Sequence, residues 1–226
     1  DVSRLMAGAR GTLGLLTEVS LKVLPVAPAE ATLRFECNQA DALRKLHAWG
    51  GQPLPLNASC WVEDAGVGQL YVRLRGAVAA VDAACKSMGG TRLDNATAAP
   101  DWQACREQTL PWFAARLARP GQALWRLSLP ATAPVLALPG GVSPLVEWHG
   151  ALRWVQAPLA HGDVLREAAR AVGGSASLFI ADGAGGERAG GQLDLKSAAL
   201  EQIHARLKHS FDPAGIFNPG RMAPQW

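Results

Sequence analysis

The sequence predicts an α+β protein with two ferredoxin-like halves, each in the order β-α-β-β-α-β. The halves are expected to form one mostly antiparallel sheet with helices on one face. Short runs that alternate apolar and polar residues mark strands. Segments that open on an Asn or Asp and close on a glycine pair mark helices. The element order between residues 31 and 95 returns loosely between residues 123 and 209, and this parallel predicts the two halves.

The first half shows the pattern most clearly. Asn38 is a good N-cap for a helix that runs through about Trp49, and Gly50-Gly51 stops that helix. The elements predicted here, in order, are a strand over Ala31–Cys37, the helix after Asn38, strands over Leu56–Val62 and Leu70–Leu74, a helix over Gly76–Met88 and a short strand over Thr91–Asn95.

The second half is less regular. Its predicted elements are a strand over Ala123–Leu129, an irregular helical segment from Val135, a hairpin of Leu145–His149 and Ala151–Gln156, a helix from Asp163 through Val172, a strand over Ser177–Ala181 and a helix over Leu195–His209 with Asp194 as N-cap. Between the halves, Pro100–Pro120 is either a connecting helix or a loop over a pocket. The glycine-rich loop Asp182–Gly191 is either a mobile lid or a surface loop. Trp148 and Trp154 are expected to be packing residues.

Composition excludes several classes of protein. The chain has 226 residues, 49% of them hydrophobic, which is enough for a sizeable core. Its net charge is only +3 and its basic residues are scattered, so a nucleic-acid partner is disfavoured. No apolar run is long enough for a transmembrane helix. Four cysteines without a CxxC pair and five histidines without an HxH or HExxH pattern predict no metal site.

Glycines at both ends of the chain form the most distinctive motifs. Gly8, Gly11 and Gly14 are spaced GxxGxxG, but a predicted strand with alternating Val19, Leu21 and Val23 follows them. A Rossmann loop opens a helix, so this is not a dinucleotide fingerprint. Glycines here make a tight turn or let the backbone approach a flat ligand closely. The closing motif, residues 211–221, reads FDPAGIFNPGR, where two prolines end the last helix and make a turn.

Together these two motifs resemble the FAD-linked oxidases of the vanillyl-alcohol oxidase type. The opening residues 4–19 look like the last stretch of that family's FAD-binding domain, and residues 211–221 look like its C-terminus. Within the family, the chain is most similar to the FAD-binding subunits of bacterial glycolate oxidases. The resemblance implies three segments: residues 1–25 as the tail of an FAD-binding domain, 26–210 as the cap or substrate domain, and 211–226 as a segment that returns to the domain junction.

The resemblance also implies which residues meet FAD. They are Gly8, Gly11, Gly14, Leu15, Leu16, Thr17, Glu18, Asn218 and Arg221. The family's glycine-rich pyrophosphate loop is absent from this chain, so its FAD site is expected to be incomplete and the isolated chain inactive. If these residues share one site, the two ends of the chain must meet in space.

The implied reaction belongs to a complex. Glycolate, a small 2-hydroxy acid, would pass a hydride to FAD, and electrons would leave through an iron–sulfur subunit beside a larger FAD-binding subunit. The implied location is cytoplasmic, with the inner membrane reached only through the complex. The related D-2-hydroxyacid dehydrogenases carry a His-rich metal motif in the cap that this chain lacks.

Three polar residues of the predicted hairpin are candidates for catalysis: Glu147, His149 and Arg153. Glu147 and His149 are two apart, so on a strand they would share one face and could form an acid–base pair. Two other functions remain open. One is a non-catalytic module that docks on another subunit, and the other is a flavin oxidoreductase of another alcohol or hydroxy acid.

Overall fold

The fold is one eight-stranded sheet with helices packed on it, as the sequence predicts. The computed structural model describes residues 1–181, 194 and 197–223. Its strands are β1 (Ala29–Glu36), β2 (Leu56–Asp64), β3 (Val67–Gly76), β4 (Thr91–Leu93), β5 (Gln122–Ser128), β6 (Leu145–Glu147), β7 (Leu152–Pro158) and β8 (Ser175–Ile180). Their order in the sheet is β4-β1-β3-β2-β6-β7-β5-β8, and neighbouring strands are antiparallel.

The α-helices are α1 (Val2–Met6), α2 (Gln39–Gly50), α3 (Val78–Met88), α4 (Asn95–Glu107), α5 (Pro111–Ala114), α6 (Gly162–Ala171) and α7 (Ala198–Phe211). The Asn38 cap is confirmed, because its side chain accepts a hydrogen bond from the Asp41 amide at 2.9 Å.

The two halves repeat the same strand order. In each, the fourth strand lies outside the first, followed by the third and the second. The halves join where β2 pairs with β6, through Cys60 opposite Glu147 and Trp61 opposite Val146. Between β5 and β6, where every residue is described, the second half has no counterpart of α2. Between β5 and β6 the chain forms only a 3-10 turn, Pro139–Gly141, because prolines at 130, 134, 139 and 144 remove the amide donors that a helix needs.

Helices cover both faces of the sheet. Two large cores lie on the face that carries α2, α3 and α6, which is the predicted helical face. A third core lies on the opposite face, where Trp102 of α4 and Phe113 of α5 pack against strand residues such as Cys60 and Trp154. The segment Pro100–Pro120 is therefore largely helical. Trp102 fastens α4 to the sheet by donating its indole N–H to Thr32 Oγ1 at 2.9 Å.

Three local predictions are wrong. Residues 19–23 form no strand, because no described segment supplies the hydrogen-bonding partner that a strand needs. The last helix begins at Ala198, with Ser197 as its N-cap. Asp194 instead accepts hydrogen bonds from Arg170 and from the Ala176 amide. The loop Asp182–Gly191 lies outside the described residues.

Candidate functional site

The two ends of the chain meet around a buried lysine, as the resemblance requires. Lys208 of α7 donates from Nζ to the Thr12 carbonyl at 2.7 Å, to the Phe217 carbonyl at 2.8 Å and to the Asp212 carboxylate. Thr12 lies 196 positions earlier in the chain. A buried ammonium is stable only when paired and hydrogen-bonded, so these contacts hold the two ends together. We call Thr12, Lys208, Asp212 and Phe217 the terminal junction.

Asp212 supplies the negatively charged partner of Lys208 in the terminal junction. Its carboxylate accepts the amides of Ile216 at 3.0 Å and Phe217 at 2.8 Å. Burial of this carboxylate opposes ionisation, but the hydrogen bonds from Lys208, Phe217 and Ile216 outweigh it and lower the pKa of Asp212 to about 2. The turn after α7 is therefore built around a carboxylate that stays ionised.

Asn218 touches the glycine motif directly. Its side-chain amide donates to the Arg10 carbonyl at 2.9 Å. Gly11 has φ +70°, and a Cβ built there would lie 2.8 Å from Asn218 Nδ2. Only glycine fits this contact without strain. The predicted meeting of the two motifs is confirmed at Gly11 and Asn218.

The other predicted FAD contacts lie along an exposed segment. Leu15 is 79% exposed and Leu24 is 87% exposed, and the backbone from Leu15 to Leu24 has no secondary structure. Gly8 and Gly14 have positive φ and open space at their Cβ positions. Arg221 Nε is buried without a hydrogen-bond partner among the described residues. These features fit a flat group laid along the backbone.

A second candidate site is a cavity of about 750 Å³ on the face of the sheet that carries α4. We call it the α4-face cavity. Its lining includes Ser59 of β2, Arg73 and Arg75 of β3, Trp102, Cys105 and Arg106 of α4, and Glu147, Trp148 and His149 after β6. Glu147 and His149 of the predicted trio thus line one cavity.

Glu147 is already engaged on both oxygens. Its Oε1 accepts the Cys105 thiol at 2.9 Å, and its Oε2 accepts the Trp154 indole N–H at 2.5 Å. No hydrogen bond joins Glu147 to His149 among the described residues. A carboxylate held by two donors is poorly placed to take a proton from a substrate, so the predicted acid–base pair is not formed here.

His149 does not lie on a strand. The chain leaves β6 at Glu147 and enters a tight turn in which Trp148, His149 and Gly150 have φ of 50°, 53° and 97°. The His149 amide donates to Ser59 Oγ at 2.8 Å, and its Nδ1 is buried without a partner. Burial lowers the pKa of His149 from its usual 6.5, which favours the neutral imidazole. The prediction that Trp148 packs is wrong, since its turn leaves it 66% exposed, whereas Trp154 is buried.

Arg153 lies elsewhere. It is fully buried on β7, where its guanidinium donates to the carbonyls of Ala133 at 2.7 Å and Pro134 at 2.6 Å. Burial lowers the pKa of this group to about 10. These contacts tie the proline-rich segment before β6 to the sheet, so Arg153 has a structural position outside the α4-face cavity.

Replacing Arg153 with methionine is therefore expected to lower the free energy of unfolding by about 2 kcal/mol, since hydrogen bonds to a charged group are worth ~1.5–3 kcal/mol and the cost of burying the cation is relieved. Arg126→Met on the neighbouring strand β5 is the control, because Arg126 is half-buried and bonds only Ser128 Oγ among the described residues. Urea unfolding measures both variants. Equal stability of Arg153→Met and the unchanged protein would contradict the structural role.

Sequence reasoning missed most charged groups of both sites. Lys208 and Asp212 have the i, i+4 spacing of a helix ion pair, which was a usable signal. Arg73, Arg75 and Arg106 carried none, because their relevance depends on which face of the sheet α4 covers.

The cysteines do not form a reactive centre. All four are free, and Cys60 and Cys105 are buried side by side. A hydrogen bond with Cys60, burial and the neighbouring Glu147 raise the pKa of Cys105, so its thiol stays protonated at neutral pH.

Among the residues that the structure describes, no group of three His, Cys, Asp or Glu side chains is arranged to hold a metal ion. No helix within the described ranges is long and apolar enough to span a membrane.

The fold and the terminal junction define a double ferredoxin-like α+β domain whose two ends come together beside an exposed extended segment. No family model matches the chain. It is 42% identical over 222 residues to the glycolate oxidase subunit GlcE of Escherichia coli (strain K12), an alignment that covers 98% of this chain and 57% of that subunit. The chain is thus a homologue of part of a glycolate oxidase subunit, and the resemblance inferred from the two end motifs is confirmed. It spans little more than half the length of this relative.

Proposed function

We propose that this chain is part of a flavin-dependent subunit of a bacterial glycolate oxidase complex, which converts glycolate to glyoxylate. The alignment along almost the whole chain with a glycolate oxidase subunit carries this proposal. Residues 1–25 are the tail of an FAD-binding domain, 26–210 the cap domain, and 211–226 the segment that returns to the junction. When bound, FAD would accept the hydride that leaves C2 of glycolate.

Residues beside the terminal junction support a role for this region in holding the cofactor. Gly11 and Asn218 are in contact, and the Arg221 guanidinium keeps an unpartnered Nε in the same segment. Gly8, Gly14, Leu15, Leu16, Thr17 and Glu18 would offer backbone groups along the flavin. Residues 15–24 would gain both a strand partner and cover for their apolar side chains from the rest of the FAD-binding domain.

The wider assembly belongs to the same proposal. Partners would be a larger FAD-binding subunit and an iron–sulfur subunit, which takes the electrons, in the cytoplasm or at the inner membrane through the complex. Within the cap, His149 is the candidate base for the 2-hydroxyl, because its imidazole nitrogen is unpartnered and the oxygens of Glu147 are not free.

A titration with FAD tests the proposal. The 226-residue protein is expected to show no saturable quenching of flavin fluorescence at micromolar concentrations, whereas the complete subunit should purify yellow. In the complete subunit, Gly11→Ala should weaken FAD binding about 10-fold or more, because the methyl group collides with Asn218. Gly66→Ala is the matched control, with φ +81° and open space in the turn between β2 and β3. A colourless complete subunit would refute a flavin site.

The second candidate function is a non-catalytic docking module. The exposed apolar residues of segment 15–26, with Val26 at 85% exposure, favour it, since such a strip needs cover from another protein or domain. It predicts that a colourless complete subunit still co-purifies with its partners. The proposed flavin subunit predicts instead a yellow subunit whose colour is lost when the terminal junction is broken.

A further inference from the structure

We propose that the α4-face cavity binds a small monocarboxylate that carries a neighbouring hydroxyl or carbonyl group, with Arg75 and Arg106 holding the carboxylate and Trp148 at the mouth. This inference rests on the proposed function only for the natural ligand, a 2-hydroxy acid or its 2-oxo product. The site itself is argued from the charges and geometry of the cavity wall.

One wall of the α4-face cavity carries excess positive charge. Arg73 bonds the two oxygens of Glu30 from Nε at 2.7 Å and from an Nη at 2.8 Å. Arg75 Nε lies 3.0 Å from the same carboxylate, without the geometry of a hydrogen bond. Two guanidinium groups thus share one carboxylate, so one positive charge is left uncompensated. Arginine is suited to carboxylate recognition because its planar fork donates two parallel hydrogen bonds.

Arg106 adds an exposed cation to the lining of the cavity. It lies in the last turn of α4, is 70% exposed and pairs only with the adjacent Glu107 among the described residues. Exposed pairs of this kind are worth little, so a ligand carboxylate can take the guanidinium at small cost.

The opposite wall of the cavity determines which end of the ligand binds next to it. Glu147 and His149 line it, and the two oxygens of the Glu147 side chain accept hydrogen bonds only from neutral donors, the Cys105 thiol and the Trp154 indole, among the described residues. The Glu147 carboxyl group disfavours a second carboxylate but tolerates a hydroxyl or carbonyl group of the ligand beside His149. The cavity therefore selects a monocarboxylate with one neutral polar group over a dicarboxylate of similar size.

Trp148 is held in a strained backbone conformation at the mouth of the cavity. It and His149 are non-glycine residues with positive φ, which costs energy that the surroundings must offset. The turn is fixed from both sides, because His149 is bonded to Ser59 and a Cβ at Gly150 would lie 2.9 Å from Leu43. The exposed indole gains little from burial here, so we infer that the turn positions Trp148 to cover a bound ligand.

Binding to the 226-residue protein tests the site without any flavin. Titration with glycolate is expected to change tryptophan fluorescence in a saturable way, with the change lost in Trp148→Phe while calorimetry still detects binding. Arg106→Gln should weaken binding about 10-fold, and its exposure makes a folding defect unexpected. Arg44→Gln is the matched control, an exposed helical arginine paired at i−3 with Asp41 on the other face of the sheet. Arg44→Gln should bind like the unchanged protein.

Oxalate and malonate complete the test, since both are expected to bind at least 10-fold more weakly than glycolate. Equal binding by Arg106→Gln and the unchanged protein, or oxalate binding as tight as glycolate binding, would overturn the site. These results are separable from the proposed function. An assembled complex that oxidises glycolate while the cavity variants bind normally refutes the site alone. Carboxylate binding with a colourless complete subunit refutes the flavin function alone.

Discussion

Replacement of His149 with asparagine is expected to lower the turnover of glycolate by the assembled oxidase about 100-fold or more, the loss typical for a missing general base. His149 lines the α4-face cavity, and its buried Nδ1 has no hydrogen-bond partner among the described residues. Asparagine tolerates the left-handed backbone conformation at φ 53°. It also keeps the backbone N–H that donates to Ser59 Oγ, so the fold and the Michaelis constant for glycolate should change little.

The pH profile separates catalysis by His149 from a structural role. Burial lowers the pKa of His149 below 6.5, so the neutral imidazole is present above pH 6.5 and is lost as the pH falls through the lowered pKa. Turnover should be level above pH 6.5 and fall on the acid side, and this acid limb should vanish in His149→Asn. The other charged groups that line the cavity are Arg73, Arg75, Arg106 and Glu147.

The control for this experiment is His47→Asn, which removes an exposed imidazole from α2 on the opposite face. It should retain full turnover and the acid limb. A His149→Asn enzyme with normal turnover would remove His149 from the reaction and leave the cavity as a binding site only.

Replacement of Lys208 with methionine is expected to release the two ends of the chain from each other. The change leaves the Asp212 carboxylate buried without its cation and removes the donor to the Thr12 and Phe217 carbonyls. Breaking a buried ion pair by removing one partner is among the costliest single changes, so amide exchange at Ile216 and Phe217 should accelerate about 100-fold or more. Exchange in the strands should not change, because the loss is local to the terminal junction.

Lys86→Met is the control for the lysine prediction, since Lys86 is an exposed residue in the last turn of α3. Acid gives an independent test of the same contact. Because the pKa of Asp212 falls from 3.8 to about 2 in the folded state, its stabilising effect is complete above pH 4 and is lost as the pH falls through about 2. Exchange at Ile216 in the unchanged protein should therefore accelerate only below pH 4, after correction for the intrinsic rate. Protection in Lys208→Met equal to that of the unchanged protein would contradict the role given to the terminal junction.

Local sequence determined most of the secondary structure and its order. The Asn38 cap and the alternation along β1 and β3 depend on neighbouring residues, and these elements lie where they were predicted, with shifted bounds. The repeated strand order followed from the same local signals. The opening and closing motifs carried the resemblance to the glycolate oxidase subunit, because each motif is one continuous stretch of sequence.

Tertiary structure decided where those elements pack and which side chains meet. Val19, Leu21 and Val23 alternate like a strand, yet without a hydrogen-bonding partner they form none. Two predicted site residues with similar sequence signals were separated, because His149 lies in the turn that lines the cavity whereas Arg153 is buried against Ala133 and Pro134.

The charged groups of both sites depend on contacts between distant positions. Arg73 meets Glu30 across 43 positions, and Lys208 meets Thr12 across 196. Hydrophobic periodicity and helix capping depend on residues that are a few positions apart in the sequence. These local patterns therefore predicted the strands, the helices and the end motifs of this chain. Pairing of charges across a sheet depends on strand register and on the face that α4 covers, which only the packed chain defines.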